Sequence, residues 1–284
     1  MNHASFKLDE GLVLVGCGNM GYALLRGWVE SSIVHPGAVH VVEPVAELRE
    51  RAAALGVNTH ETCETLPTQP DLIVIALKPQ ALESELPSYQ RFSDGTVFVS
   101  IAAGVPSRKL GSLLSSHRIV RAMPNTPTAI GKGSTIIFAD RAVAEEDLGN
   151  VVRLFRAGGA VHQVTCEDLI DAATAISGSG PAYIFYLIEC LTNAARELGL
   201  PTEIAGNLAK ETVHGSAALA YASNEDPAEL RRQVTSPNGT TAAGISILAA
   251  ENALSTLILR TAKAAFDRSL ELGGAEQTRS TTGG

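Results

Sequence analysis

The chain has 284 residues, of which 45% are hydrophobic and 18% are charged, and this composition excludes a protein that is disordered over most of its length. The 30 acidic and 22 basic residues give a formal net charge of −8, without any cluster of lysine and arginine. That balance argues against nucleic acid or an anionic membrane surface as the partner, so we expect a small molecule.

Four cysteines lie far apart in the sequence, without C-x-x-C or zinc-finger spacing: Cys17, Cys63, Cys166 and Cys190. They predict neither a disulfide framework nor a metal site, and they fit a cytoplasmic protein. No uninterrupted apolar run approaches about 18 residues, so we expect no membrane-spanning helix. The histidines are scattered, and we expect His214 to be a surface or packing residue.

Short apolar runs alternate with amphipathic stretches through the first half of the chain, which is the order of a parallel, doubly wound sheet. Strands are predicted at LVLVG from Leu12, VHVVE from Val39, LIVIAL after Asp71, TVFVSI from Thr96, RIVRAM from Arg118, STIIFA from Ser134 and AVHQV from Ala160. Helices are predicted between them over residues 23–30, 45–55, 107–114 and 144–155. We therefore predict an α/β, Rossmann-like dinucleotide-binding domain over residues 1–165.

After about Thr165 the strand signals stop and alanine-rich helical stretches follow. Helices are predicted over residues 167–176, 182–198, 203–222, 227–234, 241–250 and 253–272. Several of them are apolar around most of their circumference, so we expect a second subunit to cover them. This predicts an all-α dimerisation domain over residues 166–272, followed by a flexible tail over residues 273–284.

A complete G-x-G-x-x-G motif follows the first predicted strand and opens the first helix, in the sequence Gly16-Cys17-Gly18-Asn19-Met20-Gly21. The first glycine permits a tight turn, the second lets a pyrophosphate approach the backbone, and the third lets helix and strand pack closely. This context favours a coenzyme loop over a glycine-rich turn that binds nothing.

Glu43 ends the second predicted strand, 22 residues beyond Gly21. An acidic side chain there accepts hydrogen bonds from the adenosine ribose and repels a 2′-phosphate, which predicts NADH over NADPH. A solvated carboxylate at a strand end is the alternative. Arg49 and Arg51 follow in the next helix, where helical geometry predicts that they face away from the strand end.

The later strand ends carry small residues and prolines, in the sequences ALKP from Ala76, SIAAG from Ser100 and MPNTP from Met123. Such ends suit a flat nicotinamide and its ribose better than a metal ion. Lys78 is either a contact to coenzyme oxygens or a surface lysine.

Two further motifs lie in the helical part, SGSGPAY from Ser177 and VTSPNGTT from Val234. The second is a turn that opens a helix, so its unpaired backbone N–H groups and hydroxyls can gather around a carboxylate. Ordinary Ser/Thr capping is the alternative interpretation. In the first motif the glycines let two helices approach, and Pro181 begins the next helix.

Together these motifs resemble the pyrroline-5-carboxylate reductase family, from about Gly11 to Leu272. The resemblance rests on GCGNMG, ALKP, SIAAG, RAMPNTP from Arg121, DLIDAATAISGSGPAY from Asp168 and, above all, VTSPNGTT. It implies reduction of the C=N bond of 1-pyrroline-5-carboxylate to L-proline by NADH or NADPH, the last step of proline synthesis. It also implies a homodimer through the helical domain or a higher assembly.

The resemblance carries roles over to individual positions. The phosphate loop matches at Gly16, Gly18, Asn19 and Met20, and the remaining coenzyme contacts match at Ala76, Leu77, Lys78 and Ala103. The turn that captures the substrate carboxylate matches at Ser236, Gly239, Thr240 and Thr241, and Thr241 matches the threonine close to the ring nitrogen, which makes it the candidate catalytic residue. Glu43 and Cys63 depart from many relatives at the adenosine end, and this puts the usual NADPH preference in doubt.

Three other functions are open to such a chain. A β-hydroxyacid or 6-phosphogluconate dehydrogenase needs a lysine in the first helical segment, and residues 167–176 contain none. A reductase of another cyclic or open-chain imine fits the same motifs. A nucleotide-sensing protein without turnover is supported only by the lack of an obvious general acid.

Overall fold

The computed structural model describes residues 11–66 and 69–273. Within them the chain forms one sheet of eight strands in the order β3-β2-β1-β4-β5-β6-β7-β8. The strands are β1 (Leu12–Val15), β2 (Val39–Val42), β3 (Asn58–His60), β4 (Leu72–Ile75), β5 (Val97–Ser100), β6 (Ile119–Met123), β7 (Gly133–Ala139) and β8 (Gly159–Gln163). The predicted Rossmann-like sheet is confirmed.

The sheet is parallel from β3 to β6, whereas β7 runs antiparallel to β6 and β8 runs parallel to β7. Chain order moves outward from β1 to β3 and then returns to β4 on the other side of β1. The crevice beyond the carboxyl ends of β1 and β4 is therefore the point where a doubly wound sheet binds its ligand.

Helices cover both faces of this sheet, and they are α1 (Asn19–Glu30), α2 (Ala46–Ala53), α3 (Leu82–Glu85), α4 (Ser107–Leu114) and α5 (Glu145–Arg156). The central strands are buried on both faces, which explains their continuous apolar runs. One core lies around Trp28 and Phe155, and the other around Phe92 and Phe98.

The strand that the apolar pattern does not reveal is β3. Its sequence is Asn58-Thr59-His60, and its side chains are half-buried or exposed because it lies at the edge of the sheet. Only three residues pair, so the hydrophobic signal is too short to detect. The other predicted strands and helices of this domain are confirmed within a few residues of their ends.

Beyond β8 the chain forms α6 (Leu169–Ala173), a π-helical turn at Thr174–Gly178, and then α7 (Gly180–Glu197), α8 (Thr202–Ala222), α9 (Pro227–Gln233), α10 (Thr240–Ala249) and α11 (Ala253–Leu272). Pro181 lies at the start of α7, as predicted. The described part of the helical region contains no strand, in agreement with the sequence prediction.

The compact units of the structure divide the chain differently from the predicted boundary after residue 165. One unit extends to Ser179 and includes the chain from Ala265 onward, whereas the other is Gly180–Ala264. The reason is that α6 packs on β6 and β7, and that Ser269 near the end of α11 bonds to Asp171 of α6. Of the predicted tail, Gly273 forms a turn at the end of α11, and residues 274–284 lie outside the described part.

The helices of the second unit expose many large apolar side chains, including Phe185 at 63% and Tyr221 at 89%. The stretch Thr240–Leu272 is also long and apolar enough to cross a membrane, by length and composition alone. The expectation based on uninterrupted apolar runs missed it, because polar residues are scattered through it. The stretch is kinked at Glu251 and Asn252, whose φ angles of 50° and 57° are left-handed.

Candidate active site

The carboxyl ends of the parallel strands bring the predicted coenzyme residues to one edge of the sheet. Gly16 follows β1, Glu43 follows β2, Ala76 follows β4, and Ala103 lies in the loop after β5. Since β1 pairs with both β2 and β4 over their full lengths, the first three positions lie at the same level of neighbouring strands. This is the crevice at the reversal of strand order.

The glycine loop has three different steric requirements. Gly16 has a φ of 89°, and a Cβ there would lie 2.9 Å from the carbonyl oxygen of Ala76. Gly21 packs against the backbone of Gly16, so it also has no room for a side chain. Gly18, by contrast, has no heavy atom within 4 Å of a built Cβ, and it lies at the N-cap of α1 without a side-chain capping bond. The space beside Gly18 and the uncapped first turn of α1 fit a pyrophosphate.

Glu43 is 5% exposed, and its carboxylate holds two backbone N–H groups. Oε2 accepts from the N–H of Cys17 at 2.7 Å, and Oε1 accepts from the N–H of Val45 at 3.0 Å. The strand-end carboxylate therefore ties the glycine loop to the start of α2. An ionised carboxylate has about four acceptor positions, so this bonding leaves capacity for a further donor.

Arg49 and Arg51 also lie close to the end of β2. The prediction that they face away from the strand end is therefore wrong. Arg49 Nη1 donates to the carbonyl oxygen of Glu43 at 2.7 Å and to that of Pro44 at 2.9 Å. Arg51 Nη2 donates to the carbonyl oxygen of Cys17 at 2.8 Å, and its guanidinium lies 4.0 Å from the centroid of the Tyr22 ring. A long side chain can reach back along its helix to unpaired carbonyls, which residue spacing alone does not reveal.

Cys17 lies between these charged groups and is fully buried. Burial, the largest cause, raises the pKa of its thiol to about 11. A thiol in this state is protonated at neutral pH and is a poor nucleophile, so Cys17 fills space in the loop.

The remaining coenzyme candidates lie at the ends of β4 and β5. Ala76 and Leu77 are half-buried, and both approach the Gly16 backbone. Lys78 is exposed at the start of a short 3₁₀ helix, and Ala103 is half-buried. The structure brings Ala76 and Leu77 to the glycine loop, as the prediction requires.

The candidate substrate residues lie in the second compact unit, at the start of α10. The N–H of Gly239 donates to the carbonyl oxygen of Ser236 at 3.1 Å, and Asn238 between them has a left-handed φ of 60°. Gly239 is the N-cap of α10 without a side-chain capping bond, and Thr240 and Thr241 form the first turn. The turn that opens a helix is thus present, and its N-cap residue, Gly239, makes no side-chain capping bond.

Several candidate functional residues could not be identified from the sequence, because they bond to residues that are distant in the chain. Asn125 is 9% exposed; its Nδ2 donates to the carbonyl oxygen of Ser177, and its Oδ1 accepts from the N–H of Ser134. Arg121, whose side chain is almost fully buried, forms an ion pair with the half-buried Glu167. Among the described residues, no three His, Cys, Asp or Glu side chains are grouped to hold a metal ion.

The sheet, the glycine loop at its switch point and the appended helices define a Rossmann-type, dinucleotide-dependent oxidoreductase. Residues 167–272 match the family model for pyrroline-5-carboxylate reductase dimerisation, and residues 12–104 match that of the coenzyme F420-dependent NADP oxidoreductases. The pyrroline-5-carboxylate reductase of Pseudomonas aeruginosa is 36% identical over 269 residues, 94% of this chain and 97% of that protein. The chain belongs to the pyrroline-5-carboxylate reductase family.

Further relatives agree over the same length. The pyrroline-5-carboxylate reductase of Arabidopsis thaliana is 35% identical over 270 residues, which cover 94% of this chain and 96% of that protein. The solved structure of the enzyme from Coxiella burnetii superimposes with a TM-score of 0.86 at 32% identity, covering 93% of this chain and 98% of that one. The Plasmodium falciparum pyrroline carboxylate reductase with NADP bound superimposes with a TM-score of 0.83 at 31% identity, with the same coverage.

Proposed function

We propose that the protein reduces 1-pyrroline-5-carboxylate to L-proline with NADH or NADPH. The observation that carries this proposal is that a relative is 36% identical over 94% of the chain, and that the family model of the dimerisation region spans residues 167–272, which include the turn before α10. The chain thus retains both a coenzyme end and a candidate substrate end.

The residues at the sheet edge fit the coenzyme. The open space beside Gly18 and the free first-turn N–H groups of α1 would hold the pyrophosphate, with Asn19 and Met20 at the same helix end. Ala76, Leu77, Lys78 and Ala103 would contact the nicotinamide side. When bound, the coenzyme supplies the hydride for the C=N carbon.

The turn before α10 would bind and orient the imino acid. Unpaired N–H groups at the start of α10, together with the hydroxyls of Ser236 and Thr240, suit the substrate carboxylate. Thr241 would hydrogen-bond the ring nitrogen and stabilise it as its charge changes. The imine nitrogen arrives protonated, so no separate general acid is required.

A spectrophotometric assay of coenzyme oxidation tests this function against its rivals. We expect oxidation with 1-pyrroline-5-carboxylate and much slower oxidation with 1-pyrroline, which lacks the carboxylate. Oxidation only with other imines would identify a different imine reductase, and coenzyme binding without oxidation by any imine would identify a nucleotide sensor.

We also propose that NADH is the preferred coenzyme, although a solved relative is described with NADP bound. Glu43 presents a nearly buried carboxylate at the end of β2, where a 2′-phosphate would add about two negative charges. Arg49 and Arg51 oppose this preference, but their guanidiniums already donate to backbone carbonyls. At fixed ionic strength we expect a higher kcat/KM with NADH than with NADPH. In Glu43→Ser the ratio of these two values should shift toward NADPH.

Because Glu43 also holds two backbone N–H groups, the Glu43→Ser variant needs a structural control. Glu43→Gln keeps the side-chain length and one acceptor while removing the charge, so it separates charge from loop support. A shift toward NADPH in both variants supports charge repulsion. A wild-type protein that favours NADPH contradicts the proposal.

The exposed apolar helices support a homodimer, because residues 167–272 match a dimerisation model and monomers rarely leave such surfaces uncovered. The same surface accounts for the apolar character of Thr240–Leu272 without a membrane. We propose the cytoplasm as the location, since the separated cysteines suit a reducing compartment. Cell fractionation tests the location, and a membrane-bound fraction would contradict it.

A further inference from the structure

Arg121 lies in the middle of β6 and is only 3% exposed. Its Nη1 donates to Glu167 Oε1 at 3.0 Å, and its Nη2 lies 4.0 Å from Asp171 Oδ1. An almost buried guanidinium needs acidic partners to offset its desolvation. In the sheet Arg121 is the register partner of Ser100, the last residue of β5, so this ion cluster lies beside the start of the loop at residues 101–106.

The far end of that loop is fixed by Glu167 itself. Ser107 begins α4, and its N–H donates to Glu167 Oε1 at 2.6 Å while its hydroxyl donates to Glu167 Oε2 at 2.9 Å. Pro106 stands at the N-cap without a side-chain capping bond, so the carboxylate of Glu167 supplies the missing acceptor at this helix terminus.

The middle of the loop is covered by the end of α11. Gly104 has a φ of 74°, and a Cβ there would lie 2.7 Å from the carbonyl oxygen of Ser269 and 2.8 Å from Leu272 Cβ. The Ser269 hydroxyl in turn donates to Asp171 Oδ1 at 2.6 Å. The acidic partners of Arg121 therefore hold both the loop and the helix end that covers it.

We propose that Glu167 is a positioning residue for the coenzyme. Held by Arg121, it fixes the loop at residues 101–106, in which Ala103 is the candidate contact for the nicotinamide side. When the Glu167 contacts are lost, the nicotinamide end of the site loosens, whereas the glycine loop after β1 keeps its own support from Glu43 and Arg51.

Binding of two ligands by calorimetry tests this role without any turnover. NADH uses the whole site, whereas ADP-ribose lacks the nicotinamide. In Glu167→Gln, which loses the charge but keeps one acceptor, we expect the Kd for NADH to rise about tenfold, while the Kd for ADP-ribose stays within about twofold. Ser107→Ala loses the hydroxyl contacts to Glu167 and Asp140 but keeps the backbone N–H bond to Glu167. It should shift the ratio of the two constants in the same direction by a smaller factor.

The matched control is Asp147→Asn. Asp147 pairs with Arg118 next to the other end of β6, at 2.5 Å and with both side chains partly exposed, so this variant breaks an ion pair of the same domain away from the loop. We expect Asp147→Asn to leave the ratio of the Kd for NADH to the Kd for ADP-ribose unchanged. Equal weakening of both ligands in Glu167→Gln and Ser107→Ala, or no change in either, overturns the proposal. The inference rests on the proposed function for its ligand, but a wild-type protein that binds NADH and fails to turn over 1-pyrroline-5-carboxylate would refute only the function.

Discussion

At the scale of single residues, Thr241 is the candidate that contacts the reacting part of the substrate. Its removal in Thr241→Ala should lower kcat/KM by the equivalent of about 1–3 kcal/mol, because a hydrogen-bond partner at the ring nitrogen is left unpaired. Steady-state kinetics with saturating coenzyme measure the effect, and Thr241→Ser should recover most of it.

The control for this variant is His214→Ala, because His214 is exposed on α8 and should not affect the kinetics. Wild-type kinetics in Thr241→Ala would remove Thr241 from the site.

A second prediction for single residues concerns His40 and His60, whose contact should make the free energy of unfolding depend on pH. Nδ1 of His40 lies 2.9 Å from Nε2 of His60, an arrangement that requires at least one neutral ring. Burial lowers the pKa of both rings below 6.5, and the charge of His60 adds to the effect on His40. The unfolded chain therefore binds more protons, so the free energy of unfolding should fall as the pH drops below 6.5.

Chemical denaturation at a series of pH values measures this dependence. In His60→Gln the fall between pH 6.5 and the lowered pKa values should be shallower than in the wild type. An identical pH dependence in both proteins would contradict the pairing of the two rings.

Residue positions at the coenzyme end were predictable from the sequence, whereas their bonding was not. The spacing from Gly21 placed Glu43 at the end of β2, because strand and helix lengths vary little in this unit. Glu43 accepts hydrogen bonds from Cys17 and Val45, and Arg51 donates one to the Cys17 carbonyl. These bonds depend on which backbone groups remain unpaired after folding. Local spacing contains no such information.

At the scale of elements, a substitution in the glycine loop should weaken coenzyme binding with little effect on the stability of the fold. Gly18→Ala should leave the free energy of unfolding within about 1 kcal/mol, since φ is −64° and nothing lies within 4 Å of the new Cβ. The methyl group would occupy the space that we propose for the pyrophosphate, so the Kd for coenzyme should rise about tenfold or more.

Gly149→Ala is the matched control, because Gly149 lies in α5 and also has open space around a built Cβ. It should stabilise the protein by about 0.5–1 kcal/mol without changing coenzyme binding. If Gly18→Ala binds coenzyme like Gly149→Ala, the pyrophosphate is not at this helix terminus.

The elements themselves were largely predictable, since α4 and α11 have the same ends in the sequence and in the structure. The exceptions are short or depend on contacts. The edge strand β3 has too few apolar residues, and the π-helical turn after α6 is set by packing near Met123 and Asn125. The first compact unit extends to Ser179 because α6 packs on the sheet, a contact that helical periodicity does not show.

At the scale of the whole molecule, we expect a stable dimer at micromolar concentration. Light scattering should give at least twice the chain mass of 29.7 kDa, because the exposed apolar helices require a cover. Phe185→Asp, on α7, should weaken the assembly. Ile130→Asp alters a large apolar residue of the other compact unit that is at least as exposed, and it should not weaken the assembly. A monodisperse monomer in the wild type would contradict this assembly.

The reaction assigned to the protein transfers a hydride from the coenzyme to the C=N carbon of 1-pyrroline-5-carboxylate. The most direct test uses NADH that carries deuterium at both C4 positions of the nicotinamide, followed by mass spectrometry of the product. We predict L-proline with a single deuterium at C5, formed in equal amount to the coenzyme oxidised. Oxidation of the coenzyme without deuterium in proline, or no proline at all, would contradict the assigned reaction.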